Sequence, residues 1–142
     1  MKIKVATYLE EAKENYLNLP VFIRAPRGVL RVNAIIDTGS PKTILGYEES
    51  RRLQLPFNES TKSLIRIGGG AYQIYGVEKI KLILEAENQQ RTEEQLPIKI
   101  LKPTSTREIP SGFSLIIGTD FLRDREYKLF CDIKNSDAYI EK

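Results

Sequence analysis

AIIDTGSPKT, residues 34–43, is the stretch on which the reading of this chain turns. Ala34, Ile35 and Ile36 run straight into a carboxylate, Asp37, and then a hydroxyl residue, Thr38, and a glycine, Gly39. A carboxylate at the end of an apolar strand is costly unless it is paired, hydrogen-bonded or protonated. Asp37 is therefore either the start of an ordinary turn or a group placed there for chemistry. For the tripeptide alone the turn is the better reading, because so short a motif recurs by chance.

The surroundings shift that balance. Leu19–Arg24 and Val29–Ile36 are rich in β-formers and flank the turn candidate Ala25-Pro26-Arg27-Gly28, a hairpin that delivers its end to Asp37. Gly46–Leu53 predicts a short helix. Ser63–Ile67 and Ala71–Tyr75 flank Gly68-Gly69-Gly70, a second hairpin with a permissive tip. Val77–Leu84 reads as a half-buried strand, Glu85–Gln95 as a polar loop and Leu96–Leu101 as a further strand. After the Pro/Ser/Thr-rich Lys102–Ser111 loop, Phe113–Ile117 reads as a buried strand ending at Gly118, and Thr119–Asp124 as a short helix. Lys2–Thr7 is β-compatible, and Lys128–Ile133 with Ala138–Glu141 forms a last hairpin. Many short strands joined by turns predict a small all-β barrel or sandwich, one domain over residues 1–142.

Composition excludes several chemistries. The chain has no histidine, which removes Ser-His-Asp and Cys-His catalysis and histidine-ligated zinc; no metal or cofactor is expected. Gly68-Gly69-Gly70 is not followed by the Lys-Ser/Thr of a phosphate loop. The 22 basic and 19 acidic residues are interspersed and tryptophan is absent, so a nucleic-acid interface is not expected. Cys131 is the single cysteine, which fits a reducing, cytoplasmic setting, and no stretch reads as a signal peptide or membrane span. Chemistry in this chain must rest on carboxylates, hydroxyls, lysines or backbone.

AIIDTGS (34–40), GGGAYQIYG (68–76), LIIGTDFL (115–122) and YKLFCDIKNSDAYIE (127–141) together resemble the retropepsin-like aspartic proteases, a single-lobed family with retroviral and prokaryotic members. The resemblance spans residues 19–141. It implies a small closed acid-protease-like β-barrel with a flap hairpin and one or two short helices, assembled as a C2 homodimer that hydrolyses a peptide or protein substrate. On this resemblance Asp37 supplies one carboxylate of a dyad that shares a proton. Thr38 bonds across the dyad to the partner loop, and Gly39 brings its N–H to the carboxylates. Ser40 bonds an outer carboxylate oxygen. Gly68, Gly69, Gly70, Ala71 and Tyr72 form the substrate-covering flap, and Ile117 and Gly118 support the catalytic loop. The remaining aspartates, Asp120, Asp124, Asp132 and Asp137, begin no Asp-Thr/Ser-Gly, so one chain carries half a dyad and a two-fold axis must supply the rest. Two departures stand out: Pro41 and Thr119 occupy the places where retroviral members carry a paired Asp and Arg, and the tail is a charged hairpin. A peptide-binding module without catalysis is the alternative function on the same fold.

Overall fold

A computed structural model describes residues 1–67, 70–103 and 113–142. β2 (Asn18–Ala25) and β3 (Gly28–Ile36) pair antiparallel across a two-residue turn, Pro26-Arg27, with Ala25 opposite Gly28. Both strands alternate as half-buried strands do: Leu19, Val21 and Ile23 of β2, with Val32, Ala34 and Ile36 of β3, point inward. β4 (Ile44–Leu45) and α1 (Tyr47–Arg52) follow, then a 3-10 turn (Glu59–Thr61) and β5 (Ser63–Ile67). β6 (Gly70–Glu85) and β7 (Arg91–Pro103) are the two longest strands, and β8 (Leu115–Ile117) leads into α2 (Thr119–Asp124). β1 (Lys2–Lys4), β9 (Lys128–Asp132) and β10 (Asp137–Glu141) form a separate three-stranded sheet in the order β1-β10-β9.

Six strands close into a barrel. β2 pairs with β3, β3 with β8, β8 with β4, β4 with β7, β7 with β6, and β6 returns to β2 through Phe22–Arg24 opposite Lys81–Ile83. Closure removes the free edges that an open sheet of this size would present. The interior is filled by branched side chains such as Ile23, Ile80, Leu82, Ile98 and Ile100, none more than 1% exposed. β8 explains its own composition: Leu115, Ile116 and Ile117 are all buried, as befits a strand hemmed in on both sides. α2 is anchored by Phe121, fully buried and stacked on Tyr127 at 5.3 Å between ring centroids.

The structure corrects several expectations. The expected strands Ala71–Tyr75 and Val77–Leu84 are one strand, β6, with a register irregularity between Val77 and Ile80. Gly76, between the two, pairs opposite Lys99 of β7, and its N–H donates to Thr61 Oγ1 (2.9 Å). The Glu85–Gln95 stretch is a loop only until Arg91, where β7 begins. β7 also continues through Lys102 and Pro103, residues expected in the following loop. β4 was not anticipated, and β1 stops at Lys4 rather than reaching Thr7.

Candidate active site

β3 and β8 run parallel, with Ile35 beside Ile116 and Ile36 beside Ile117. That register places the two residues that leave these strands, Asp37 and Gly118, next to each other. The Asp37 N–H donates to the Ile117 carbonyl (3.0 Å), so the ladder extends one step past β3 and holds the carboxylate-bearing residue. A tight turn follows, in which the Ser40 N–H donates to the Asp37 carbonyl (3.0 Å). Inside this turn the Gly39 N–H donates to Asp37 Oδ1 at 2.8 Å. A Cβ on residue 39 would stand 3.1 Å from that same oxygen, tighter than ordinary contact, which gives a spatial reason for glycine there.

Asp37, Thr38 and Gly39 are exposed and Ser40 is half-buried. Within one chain the carboxylate stays in water, and the desolvation suggested by the preceding apolar run is absent. Among the described residues Asp37 has no second carboxylate as a hydrogen-bond partner, and Thr38 Oγ1 has no acceptor among them either. Ser40 does not bond the Asp37 carboxylate; its hydroxyl donates to the Lys42 carbonyl (2.7 Å) and stiffens the loop instead.

The 118–120 segment locks against this loop from behind. Gly118 has φ −92° and ψ −178°, a conformation open to any residue, so its need for glycine is one of space. A Cβ there would fall 2.4 Å from the Lys42 carbonyl oxygen and 2.7 Å from that of Ser40. The Thr119 N–H donates to the Ser40 carbonyl (2.8 Å). At this joint Thr119, in the place where retroviral members carry an Arg, meets the Asp37 loop through its backbone N–H.

Sequence reasoning missed two residues of this joint. Thr43, fully buried, and Asp120 meet across it: Thr43 N–H donates to Asp120 Oδ2 (3.1 Å) and Thr43 Oγ1 to Asp120 Oδ1 (2.7 Å). The Gly118 N–H in turn donates to Thr43 Oγ1 (3.1 Å), and the Phe121 N–H to Asp120 Oδ1 (2.8 Å). The available signal was weak: an Asp two residues after the glycine of the second motif, and a threonine six residues after Asp37.

Of the expected flap, Gly68 and Gly69 lie outside the described residues. Gly70 begins β6 opposite Ile67, and Ala71 pairs with Arg66. Tyr72 is 9% exposed and packs in a small apolar cluster with Ile44, Ile74 and Leu101, flanked by Ile65 and Phe113. Its ring is thus part of a core rather than a free arm over a cleft. The cluster abuts the site strands, since Ile44 lies opposite Ile116. No group of three or more acidic or cysteine side chains among the described residues is arranged to hold a metal ion. Nor is any helix among them long and apolar enough to cross a membrane.

At the level of sequence, no family model and no curated protein matches the chain. Among solved structures it is similar to the retroviral protease-like domain of Ddi1 from Leishmania major, with 18% identity, a TM-score of 0.60, and coverage of 92% of this chain and 91% of that one. It is similar to a retropepsin-like aspartic protease from Rickettsia conorii, at 12% identity and TM-score 0.55, over 99% of this chain and 89% of that one. A third similar structure is the EIAV protease in complex with the inhibitor HBY-793, at 19% identity and TM-score 0.54, over 83% and 95% of the two chains. The fold is retropepsin-like.

Proposed function

We propose that two copies of this chain form one aspartic endopeptidase, with Asp37 and the partner copy's equivalent facing each other across a two-fold axis. The observation that carries this reading is the Asp37 loop: an exposed carboxylate, oriented by the Gly39 N–H and held to β8 by its own N–H, with no second carboxylate bonded to it among the described residues. The proteases of like fold support the same reading at the level of architecture.

Two carboxylates in contact cannot both ionise at neutral pH, so the pair holds one proton and titrates as a unit. The ionised member takes a proton from a water lying between them while the water oxygen attacks the scissile carbonyl carbon. The protonated member gives its proton to the carbonyl oxygen, forming a neutral gem-diol. Collapse of that intermediate returns a hydroxyl proton to a carboxylate, the amide nitrogen is protonated by the other carboxyl, and the C–N bond breaks. Neither metal nor nucleophilic side chain enters. The apolar cluster of Ile44, Tyr72, Ile74 and Leu101 is a small core next to the site strands and backs the β5–β6 hairpin beside them.

Specific activity is expected to fall on dilution, because each site requires two chains. Cleavage of a quenched fluorescent peptide library, followed from micromolar to nanomolar enzyme alongside sedimentation velocity, measures this. A concentration-independent specific activity in a verified monomer overturns the shared dyad. Cleavage by neither dimer nor monomer, with the library still bound, selects the binding module. Thr38→Ala is expected to weaken association, because an exposed hydroxyl repeated by symmetry contributes two bonds of about 1 kcal/mol each, roughly a 30-fold change in dimer Kd. An unchanged Kd shows that Thr38 does not bridge the copies.

A further inference from the structure

Asp120 has no part in the chemistry proposed above, yet its carboxylate accepts more hydrogen bonds than that of Asp37, which accepts one from Gly39. Its carboxylate accepts from three donors: the N–H and hydroxyl of Thr43 and the N–H of Phe121. The directions of these bonds are forced. A carboxylate only accepts and the Gly118 N–H only donates, so the one Thr43 hydroxyl proton goes to Asp120 and its lone pair receives Gly118. Thr43 closes the loop that begins at Asp37, and Gly118 follows the residue whose carbonyl receives the Asp37 N–H. The loop is therefore fixed at three stations: Asp37 on Ile117, Ser40 under Thr119, and Thr43 between Gly118 and Asp120.

We infer that Asp120 is a positioning residue for Asp37, acting through the Thr43 hydroxyl to set where the 37–43 loop sits against Ile117-Gly118. The inference rests on the protease reading for its kinetic consequence, but not for its structural one. In a site made of two identical loops, any displacement of the loop occurs twice, and the two carboxylates separate by the sum. A misplacement of about 1 Å at a reacting centre costs on the order of 100-fold in rate. The effect belongs in kcat, because the 37–43 loop carries the reacting group.

Two independent arms test this. The first is amide hydrogen exchange on the intact protein. Thr43→Val keeps the shape but removes the hydroxyl, orphaning the buried Gly118 N–H, and is expected to speed exchange at Asp37, Gly118 and Thr119 by at least about tenfold while β6 and β7 amides keep their rates. Thr43→Ser restores the hydroxyl and is expected to restore protection. The second arm is steady-state kinetics, with active sites counted by titration with a hydroxyethylene peptide so that misfolded protein does not enter kcat. Thr43→Val is expected to lose roughly 10- to 100-fold in kcat with KM within about threefold, and Thr43→Ser to stay within about threefold of the parent. Asp120→Asn, whose amide must present one N–H to a group that can only donate, is expected to resemble Thr43→Val. The double variant is expected to be no worse than the poorer single, since both act through one hydroxyl. Unchanged exchange at Asp37 and Thr119 in Thr43→Val and Asp120→Asn overturns the positioning role. So does a kinetic loss that is equal in Thr43→Ser, or one that falls in KM. Should Thr43→Val fail to fold, Thr43→Ser and Asp120→Asn carry both arms. A parent protein that cleaves no peptide defeats the protease reading alone, and the exchange arm still decides the role of Asp120.

Discussion

Asp37→Asn is expected to abolish peptide hydrolysis while leaving fold and association intact. The amide matches the carboxylate in shape, and its oxygen can still accept the Gly39 N–H that lies 2.8 Å from Oδ1. The residue's backbone bond to Ile117 is unaffected, and the side chain is exposed in a single chain, so no core contact changes. What is lost is the ability to take up and release a proton, and by symmetry it is lost on both sides of the axis at once. Rate losses on the order of 10⁴-fold or more accompany removal of an essential acid–base or nucleophilic group, and this substitution should fall in that range. Thermal unfolding is expected to be unchanged or slightly higher in the assembled form, because the single charge that the pair carries is no longer enclosed at the axis. The measurements are kcat on a cleaved peptide, sedimentation, and a melting curve on the same preparation. Retention of more than a tenth of the parent activity removes Asp37 from the mechanism.

Gly118→Ala should be the most damaging single-methyl change among the described glycines. The added carbon meets backbone, with the Lys42 carbonyl oxygen at 2.4 Å, its carbon at 2.6 Å and the Ser40 carbonyl oxygen at 2.7 Å. Backbone cannot swing aside as a flexible side chain does, so the 40–42 segment must lift away from Gly118. Lifting it strains the Thr119–Ser40 and Gly118–Thr43 bonds together. Overpacking combined with broken buried hydrogen bonds predicts a loss of about 3 kcal/mol or more, a fall in Tm on the order of 10 °C, and loss of activity even where the variant folds. Gly76→Ala is the control. Its added carbon would come no closer than 3.5 Å, to Lys99 Nζ and Thr61 Cβ, and stability is expected to change by less than about 1 kcal/mol. Equal midpoints for Gly118→Ala and the parent in chemical denaturation would show that the loop crossing is looser than its geometry.

The parts of the fold legible in the sequence were those written in local pattern. The β2–β3 hairpin was announced by its β-forming residues and by the turn Ala25-Pro26-Arg27-Gly28, and the bounds of α2, Thr119–Asp124, coincide with the expected ones. What stayed hidden depended on partners distant in the chain. β4 has two residues, too few to show any period, and exists because β8 and β7 flank it. The start of β7 was masked by its charges. Glu94 reads as loop, yet it is 5% exposed, its carboxylate receiving the Tyr127 hydroxyl (2.9 Å) and the Lys142 ammonium (2.7 Å). Tyr72 could serve equally as a core or a cleft aromatic, and only the positions of Ile44 and Leu101 decide it. In the candidate site, Asp37 and Gly118 could be paired from their two motifs. The Thr43–Asp120 contact joins residues 77 apart, and no local pattern encodes it.

β7 accompanies β6 almost to its start, with Pro103 opposite Tyr72, while β5 flanks the same stretch from the other side with Ile65 opposite Tyr72. From Tyr72 to Ile74, β6 is therefore braced on both sides, by β5 and by β7. β5 stops there, and the register irregularity between Val77 and Ile80 parts this braced end from the stretch that meets Phe22–Arg24 of β2. One strand thus serves two separately held pieces, a splint beside the site and a stave of the barrel. A bound peptide that presses on the splint is expected to leave the stave in place.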